Sequence, residues 1–342
     1  MSSLPSPIVD ADLSCILDSA NKPHRQLIDA PATSSVADVL GLMSEHRLSA
    51  IPIWGQAGHW LSAGTTEANT IDHEKQYIAV VSILDIVVYI TSTTMSNQSL
   101  SSISIMLVVG ETNEGKSLWV ASPHDKIRRM LEPLSKGIHR ILVGPVDGVE
   151  TDSMHFQMLT QSDIIRYILQ HSDMDYQLSK HLSISIYEAG LCNPVSSLVF
   201  TADMSSSVMD IFRAMVVHNL SAVPVVNPLL GGILVNTISI SDLRDVLLAS
   251  KVKLAKLIAM LSNMTVFEFL KLSKGPECFS RSIDQSSVTC SIDTSIADAM
   301  RLTLTGRVHR IWVVDRAYAA IGAISLSDFM RNLNAWFYEL ES

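Results

Sequence analysis

The feature that most constrains the fold of this chain is a fourfold internal repeat. A short apolar strand that contains Ser or Thr, then an Asp three residues later, then an apolar helix, occurs four times along the 342 residues. Because such recurrence marks repeated supersecondary units, we expect four copies of one unit. The copies carry the motif as Ser82-Ile-Leu-Asp85, Thr160-Gln-Ser-Asp163, Ser239-Ile-Ser-Asp242 and Ser325-Leu-Ser-Asp328.

Each copy is preceded by a second strand and, further upstream, by an amphipathic helix. The helices carry apolar residues at helical spacing, for example Val36, Val39, Leu40 and Met43. Each repeat is therefore predicted to contain a strand, a helix, two strands and a second helix. The second strands are predicted at 48–53, 138–143, 220–226 and 308–314.

The four repeats alternate in type. In the second strand, the first and third repeats share a Leu-Ser-Ala-x-Pro motif, whereas the second and fourth share His-Arg-Ile. This alternation indicates an ancestral pair that was duplicated, so we predict two modules of two repeats each. Pairing would bury the apolar sheet face that a single repeat leaves exposed. The predicted fold class is α/β, of the α+β type.

Composition excludes several classes of protein. Hydrophobic residues make up 47% of the chain and charged residues 17%, which excludes a disordered chain. A net charge of -9 without a run of Lys or Arg argues against a nucleic acid partner. No apolar stretch reaches about 18 residues, so no membrane partner is expected. The four cysteines lie far apart, which argues against a metal site and is typical of a reducing compartment. We expect a soluble cytoplasmic protein, with nuclear access left open.

The pattern divides the chain into an N-terminal segment, four repeats and their connections. Repeat 1 carries an inserted stretch, 55–76, that is rich in Gly, Thr and Ala and is predicted to be a surface loop. Apolar residues that recur between repeats 3 and 4 predict a linker helix. The predicted boundaries are 1–23 (N-terminal segment), 24–92 (repeat 1), 93–112 (linker), 113–173 (repeat 2), 174–192 (linker), 193–250 (repeat 3), 251–284 (linker helix) and 285–342 (repeat 4).

The recurring Ser-x-x-Asp has two interpretations. The first is local, because a Ser or Thr three residues before an acid forms the capping box of a helix start, and losing such a cap costs about 1 kcal/mol. The chain supplies its own control, since the first helix of each repeat is predicted to open with the same pattern. These control copies are Ser35–Asp38, Ser122–Asp125, Ser207–Asp210 and Ser295–Asp298. The pattern alone therefore does not distinguish a cap from a ligand site.

The second interpretation is a ligand site where the last strand of a repeat runs directly into the second helix. A helix start presents free N–H groups and the positive end of the helix dipole, which attract phosphate. An ionised Asp only accepts hydrogen bonds, and so suits the hydroxyls of a ribose. The His-Arg pairs on the neighbouring strands of repeats 2 and 4 add positive charge for an anion.

These motifs resemble cystathionine-β-synthase (CBS) motifs, which pair into Bateman modules that form a disk. The His-Arg pairs, the Ser-Ala-x-Pro motifs and the closing Ser-Leu-Ser-Asp328 are similar to the γ subunit of AMP-activated protein kinase. The resemblance runs from about Ile28 to Leu333. It is strongest to the plant γ-like subunits of sucrose-nonfermenting-related kinases, through Gly58–Trp60, Ser117–Trp119, Leu134–Arg140 and Val308–Asp315.

The resemblance implies an energy-sensing regulatory subunit of a kinase heterotrimer rather than an enzyme. The implied partners are the kinase catalytic (α) and β subunits, and the implied ligand is an adenine nucleotide (AMP, ADP or ATP), with no other cofactor. By position, ribose contacts are expected at Asp85, Asp163, Asp242 and Asp328. Phosphate contacts are expected at His139, Arg140, His309, Arg310, Ser82, Thr160, Ser239 and Ser325.

An alternative of a different class is a CBS-fold scaffold that contacts a kinase or another protein without binding nucleotide. Two departures from the family pattern favour it: Ser49 stands where animal γ subunits carry an arginine, and Gln161-Ser162-Asp163 stands where they carry basic residues. The intact His-Arg pairs of repeats 2 and 4 favour nucleotide binding instead. Catalysis is not predicted, because the sequence has no Walker-type loop, Gly-x-Ser-x-Gly elbow or Gly-x-Gly-x-x-Gly motif.

Overall fold

The computed structural model describes residues 8–19, 27–56, 70–72, 75–93, 97–144, 156–193, 199–249, 253–279 and 287–339. The helices in these ranges are α1 (Leu13–Ser19), α2 (Val36–Glu45), α3 (Ile83–Ser92), α4 (Ile127–Ser135), α5 (Gln161–His171), α6 (Tyr176–Ser183), α7 (Val208–Val217), α8 (Ile240–Ala249), α9 (Leu254–Asn263), α10 (Val266–Lys274), α11 (Ile296–Gly306) and α12 (Leu326–Glu339). The strands are β1 (Ala30–Pro31), β2 (Ala50–Gln56), β3 (Thr70–Asp72), β4 (Lys75–Ser82), β5 (Val120–Ala121), β6 (Arg140–Val143), β7 (Gln157–Thr160), β8 (Ala202–Asp203), β9 (Ala222–Asn227), β10 (Ile233–Ser239), β11 (Thr289–Cys290), β12 (Arg310–Val314) and β13 (Ala320–Ser325). Within these ranges, no helix combines the length and the apolar character needed to cross a bilayer.

Each repeat has the predicted order of strand, helix, strand, strand, helix. In repeat 2 the sheet order is β5-β6-β7, with the short first strand parallel to β6 and the last strand antiparallel to it. Repeats 3 and 4 have the same arrangement, and repeat 1 adds β3 at the edge of its sheet, next to β4. The last strand of every repeat therefore lies beside the second strand, which carries the alternating motifs.

The second strands begin two residues later than the apolar pattern predicts, because each first helix ends in the same left-handed turn. In repeat 1 the amide of Leu48 donates back to the carbonyl of Met43 at 2.7 Å, the long return bond of a Schellman turn. The turn uses the residues that the apolar pattern assigned to the strand. Its left-handed residues are Arg47, Gly137, Asn219 and Arg307, with φ of 53°, 95°, 52° and 51°.

The chain divides into two compact units, each with an apolar core of its own. We call Met1–Leu27, Trp119–Val199 and Val288–Ser342 the even module, because it holds repeats 2 and 4. Ile28–Leu118 and Phe200–Ser287 form the odd module, which holds repeats 1 and 3. Within each compact unit, packing joins repeats of the same type rather than neighbours in sequence. Repeats that share a sequence motif are therefore the ones that pack together.

In both cores, apolar helix faces pack against one another. In the odd module, α2 and α3 of repeat 1 pack against α8 and α7 of repeat 3. The rings of Phe212 and Phe269 meet edge to face in this core at 5.4 Å. In the even module, α4 packs on α12 and α5 on α11, and α1 adds the buried side chains of Leu13 and Ile16. Each fully buried aliphatic side chain contributes about 1.5–3 kcal/mol, so these faces are the main source of stability.

Two connecting segments differ from their predictions. The segment between repeats 3 and 4 forms two helices, α9 and α10, because Thr265 and Glu268 build a capping box that starts a second helix. In the predicted surface loop 55–76, both ends belong to strands β2 and β4 and a third strand, β3, lies between them. The rest of that stretch, including Gly58–Trp60, lies outside the described residues.

Candidate functional site

The candidate site residues lie at four equivalent places, which we call junctions. A junction is the point where the last strand of a repeat runs into its second helix, so that the final strand residue precedes the helix and the Asp is its third residue. The junction residues are Ser82 and Asp85 at α3, Thr160 and Asp163 at α5, Ser239 and Asp242 at α8, and Ser325 and Asp328 at α12.

All four junctions share one capping bond. The amide of the residue before the helix donates to Oδ2 of the Asp, at 2.8 Å for Ser82, 3.0 Å for Thr160, 2.8 Å for Ser239 and 2.8 Å for Ser325. For Ser82, Thr160 and Ser325, the hydroxyl is also within 2.6–2.7 Å of the same oxygen. The capping role that the sequence predicted is therefore present. The junctions differ in what else contacts the carboxylate.

The junction of repeat 4 is the most open of the four. The Asp328 side chain is 30% exposed, and its Oδ1 accepts a hydrogen bond from Arg331 Nη1 at 2.8 Å. Arg331 lies one turn further along the same helix and is itself exposed. Because exposed ion pairs contribute only about 0–1 kcal/mol, a ligand hydroxyl could replace this contact at small cost.

The junctions of repeats 2 and 3 are more enclosed. Asp163 is 4% exposed, and its Oδ1 accepts from Arg166 Nη1 at 3.2 Å. Asp242 is 15% exposed, and its Oδ2 lies 3.4 Å from Nζ of Lys274, which belongs to α10. The same ammonium donates to the carbonyl of Thr237. Lys274 thus places a positive charge at a junction where the sequence pattern predicts none.

The junction of repeat 1 is closed. Asp85 is completely buried, and its Oδ1 accepts a hydrogen bond from the amide of Thr112 at 2.8 Å. Because Ser82 already contacts Oδ2, both oxygens of this carboxylate are engaged by the protein. Asp85 therefore differs from the other three aspartates, although its sequence motif is the same.

Strand register places an arginine beside the junction in the even module and an alanine in the odd module. Arg140 is directly opposite Thr160, and Arg310 is directly opposite Ser325. The corresponding partners are Ala50 for Ser82 and Ala222 for Ser239. The difference between the His-Arg and Ser-Ala motifs is therefore a difference in charge next to the helix start.

The histidines precede these arginines and connect the strand to the helix through the backbone. The amide of Leu326, the first residue of α12, donates to the carbonyl of His309 at 3.1 Å. In the odd repeats, Ser49 and Ser221 accept the equivalent bonds from Ile83 and Ile240 at 3.0 Å. His139 occupies the matching sequence position in repeat 2. The backbone of His309 thus adjoins the start of α12.

Arg310 lies near an aromatic ring and within the electrostatic influence of a carboxylate. Burial lowers the pKa of its guanidinium from the ordinary value, and the nearby Asp328 carboxylate acts in the opposite direction. The guanidinium carbon also lies 5.9 Å from the centre of the buried Trp312 ring, within the range of a cation–π contact. Arginine remains charged under such shifts, so the junction of repeat 4 contains a fixed positive group beside Asp328.

The two even junctions are directly linked. Gln161, the first residue of α5, is buried, and its Nε2 donates to Ser327 Oγ at 3.0 Å and to the carbonyl of Leu134 at 2.8 Å. Ser327 is the second residue of α12. The starts of α5 and α12 therefore lie side by side in the even module, so its two junctions form one neighbourhood.

Comparison with known proteins agrees with this geometry. The CBS domain family matches residues 195–249 and 281–335, which cover repeats 3 and 4. Repeats 3 and 4 therefore contain CBS domains. Repeats 1 and 2 share the junction type of these two repeats.

Two plant proteins of similar length are relatives of this chain. The chain is 27% identical over 344 aligned residues to the SNF1-related protein kinase regulatory subunit gamma-like PV42a of Arabidopsis thaliana, covering 91% of this chain and 92% of that one. It is 28% identical to gamma-like PV42b of the same plant, covering 90% of each. A solved protein of Methanocaldococcus jannaschii, a proposed archaeal homologue of g-AMPK, shares the fold with a TM-score of 0.57 and 15% identity, covering 91% of this chain and 97% of that one.

The control copies of Ser-x-x-Asp separate into two groups. Ser35 and Ser295 cap α2 and α11 as predicted. In repeat 2 the prediction was wrong, because α4 begins at Ile127 and Ser122–Asp125 forms a turn before it. In repeat 3 the hydroxyl of Ser207 makes no capping bond and donates to the carbonyl of Ser262. A matching sequence pattern thus does not by itself give a cap.

Sequence reasoning missed the second partner of each junction aspartate. Arg166 and Arg331 are recognisable in the sequence as Asp-x-x-Arg, but Asp210 and Asp298 in the first helices are followed by arginine at the same spacing. Lys274 and Thr112 lie 27 or more residues from their aspartates, so only the fold brings them there. Of these two distant partners, Thr112 closes a junction, that of repeat 1.

Proposed function

We propose that this CBS-domain protein is a non-catalytic, γ-like regulatory subunit of a SNF1-related kinase complex and that it binds adenine nucleotides at its junctions. The relatives of similar length are kinase regulatory subunits, which supports the first part. The chemistry of the even junctions supports the second part. Kinase catalytic and β subunits would be its protein partners.

The observation that carries the nucleotide proposal is the combination of groups at the junction of repeat 4. Asp328 offers a partly exposed carboxylate, Ser325 a hydroxyl, and Arg310 a guanidinium directly across the sheet from Ser325. The start of α12 adds the positive end of a helix dipole. A hydrogen-bond acceptor and an anion site therefore lie within one junction, as a ribose phosphate requires.

Each group has a separate role in the proposed site. The ribose hydroxyls would donate to Asp328 Oδ1 and replace the exposed Arg331 contact. The phosphate would accept from Arg310, with His309 beside it, and from the Ser325 hydroxyl once that hydroxyl turns away from Asp328 Oδ2. Charged hydrogen bonds of this kind are roughly twice as strong as neutral ones, so the phosphate contributes more to affinity than the ribose.

The other junctions are weaker candidates by the same criteria. In repeat 2, Asp163, Thr160, Arg140 and His139 repeat the pattern of repeat 4, but Asp163 is almost buried. In repeat 3, Asp242 and Ser239 have Ala222 rather than arginine across the sheet, and Lys274 supplies the charge. We therefore rank the junction of repeat 4 first and those of repeats 2 and 3 after it.

Regulation would follow from differential affinity. A bound nucleotide shifts the docking of this protein on a kinase only if its affinity differs between the docked states. Phosphate charge at the linked starts of α5 and α12 is a suitable source of such a difference, because Gln161 and Ser327 couple the two helices directly. AMP and ATP differ by two phosphates and would thereby be distinguished.

A titration with AMP, ADP and ATP tests the proposal, with Asp328→Ala beside a matched control, Asp298→Ala. Both aspartates accept from a capping serine and from an arginine Nη1 at 2.8 Å in the same repeat. Each substitution should therefore cost a similar stability, about 1 kcal/mol. We expect saturable binding in which Asp328→Ala removes the site at the junction of repeat 4 and Asp298→Ala leaves every site intact. Equal binding by both variants would refute the ribose role of Asp328.

The second candidate function is a CBS-fold scaffold that contacts the kinase without nucleotide. It is favoured by the alanines that face the odd junctions and by the closed junction at Asp85. Flat titrations with well-folded protein, together with retained binding to a kinase α or β subunit, would establish this alternative.

A further inference from the structure

The buried carboxylate of Asp85 is the one feature of the junctions that nucleotide binding does not explain. A ribose contact needs a carboxylate oxygen that a ligand can reach, yet Asp85 is 0% exposed. Its Oδ2 accepts from the Ser82 amide at 2.8 Å and from the Ser82 hydroxyl at 2.6 Å. Its Oδ1 accepts from the Thr112 amide at 2.8 Å. The side chain is thus engaged on both oxygens.

The segment that contacts Asp85 is a compact turn built for this contact. The amide of Lys116 donates to the carbonyl of Thr112 at 3.1 Å, and the amide of Gly115 donates to Thr112 Oγ1 at 3.1 Å. These bonds close a turn over 112–116 and leave the Thr112 amide directed at the carboxylate. Because a buried amide without a partner is costly, the turn depends on Asp85 as much as Asp85 depends on the turn.

Gly115 shows how closely the turn packs on the carboxylate. A Cβ at this position would lie 2.7 Å from Asp85 Oδ1 and 3.2 Å from the amide of Gly110. The backbone itself is compatible with other residues, since Gly115 does not have a positive φ. The glycine is therefore required by the approach of the turn to Asp85 rather than by conformation.

We infer that the junction of repeat 1 is closed by the chain itself: the turn at 112–116 is an internal ligand that occupies Asp85, and this aspartate anchors the connection to repeat 2 instead of binding nucleotide. For its statement about nucleotides, the inference rests on the proposed function. It limits nucleotide binding to the junctions of repeats 2, 3 and 4. It also assigns a structural role to a residue whose sequence motif is that of a ligand contact.

Hydrogen exchange of the turn tests the inference, with Asp85→Asn compared with Asp38→Asn. Asp38 has the same capping bonds in repeat 1, to the Ser35 amide at 2.9 Å and to its hydroxyl at 2.7 Å, and it is not bonded to the turn. Asparagine at position 85 must direct its NH₂ group at one of the amides that the carboxylate now accepts from. We expect exchange in 110–117 to accelerate at least about tenfold in Asp85→Asn and to be unchanged in Asp38→Asn. Melting should occur roughly 5 °C lower in Asp85→Asn than in the control.

Gly115→Ala provides a second, independent variant, with Gly41→Ala as its control. A Cβ at Gly41 would meet no atom within 4 Å, so the control adds the same methyl group without a clash. We expect Gly115→Ala to accelerate exchange in the turn as Asp85→Asn does, and Gly41→Ala to leave it unchanged. Unchanged exchange in both Asp85→Asn and Gly115→Ala would overturn the inference.

Titration of the same variants with AMP and ATP separates this inference from the proposed function. Asp85→Asn should keep the number of nucleotide sites of the original chain. Loss of one site in Asp85→Asn but not in Asp38→Asn would make Asp85 a ligand residue and overturn the inference, while the proposed function would stand. If the original chain binds neither nucleotide, the proposed function fails, and the exchange of the turn still decides whether Asp85 anchors it.

Discussion

At the residue scale, the sequence around Arg310 only suggested a phosphate-binding role, and the structure adds interactions that support it. Burial, the Trp312 ring and the Asp328 carboxylate all act on its guanidinium. A guanidinium fixed in this way loses little conformational entropy when it binds a phosphate. In repeat 2 the matching positions are Arg140 and Leu142, so Arg140 has an aliphatic neighbour where Arg310 has the ring of Trp312. The two even junctions are therefore not equivalent.

Arg310→Ala should weaken binding of ATP more than binding of adenosine. Charged hydrogen bonds contribute about 1.5–3 kcal/mol, which corresponds to roughly tenfold to a hundredfold in affinity for the nucleotide. Adenosine, which lacks phosphate, should bind almost unchanged. Arg301→Ala is the matched control, because it removes the same charge from repeat 4 at an exposed pair with Asp298. Calorimetric titration measures both ligands, and equal losses for adenosine and ATP would remove the phosphate role of Arg310.

Residue roles were only partly predictable. The capping bonds of Ser325 and Asp328 follow from three-residue spacing, which is a local property of a helix start. The closure at Asp85 depends on Thr112, which the fold brings there from outside the repeat motif. Local spacing therefore predicted where the carboxylates lie, and could not predict which of them a ligand can reach.

At the scale of secondary structure, the turn after each first helix explains why the strands start late. Three of the four turns place an ordinary side chain in the left-handed region, at Arg47, Asn219 and Arg307, and only the turn of repeat 2 uses glycine, at Gly137. The left-handed conformation costs an L-residue about 1–2 kcal/mol. The return bond and the apolar contact that follow it must offset this cost in three repeats. Apolar periodicity predicted the elements correctly but carries no information on such a turn.

Gly137→Ala should destabilise the protein by about 1 kcal/mol, because its φ of 95° is unfavourable for a side chain. A Cβ there would meet no atom within 4 Å, so the effect is purely one of backbone conformation. Arg307→Gly should have the opposite sign and raise stability. Gly41→Ala, within α2, serves as the control and should stabilise by roughly 0.5–1 kcal/mol. Chemical denaturation measures all three, and a Gly137→Ala variant as stable as the original chain would contradict the strain argument.

At the scale of the whole molecule, the capping carboxylates make the stability of the protein depend on pH. Hydrogen bonds lower the pKa of several caps below the ordinary values of 3.8 for Asp and 4.5 for Glu. The side chain of Ser295, then Arg301, lowers the pKa of Asp298, and the backbone and hydroxyl of Thr265 lower that of Glu268. Ser35 lowers the pKa of Asp38 in the same way. A depressed pKa contributes stability that is present above the unfolded value and lost as pH falls through the folded one.

The melting temperature should therefore fall as pH is lowered from about 6 to about 3. Replacing the three capping hydroxyls together, in Ser35→Ala, Thr265→Ala and Ser295→Ala, removes side-chain bonds that lower these pKa values. The triple variant should melt lower at neutral pH and show a shallower fall in acid. Calorimetric scans across this range measure both effects. Parallel curves for the two proteins would show that these caps do not couple folding to pH.

The sequence predicted the repeats and their order, but not which repeats pack together. The repeats, their order and the alternation of motifs can be recognised in 342 residues without a structure. Duplication of an ancestral pair predicted two modules of two repeats each, and the structure shows that each compact unit joins repeats of one type. Which helix packs on a given helix face depends on shape complementarity between segments that are distant in sequence. Apolar periodicity predicts only that a helix has an apolar face.

The interleaving of the two modules has a consequence for synthesis. Helix α2 begins at residue 36, and its packing partner α8 begins at residue 240. A chain leaving the ribosome therefore carries the apolar faces of repeat 1 through the translation of two further repeats before they can be covered. Such distant pairings make folding slow and expose intermediates to aggregation. The hydrogen bond between Asp85 and Thr112 spans only 27 residues, so the nascent chain can form it long before the core closes.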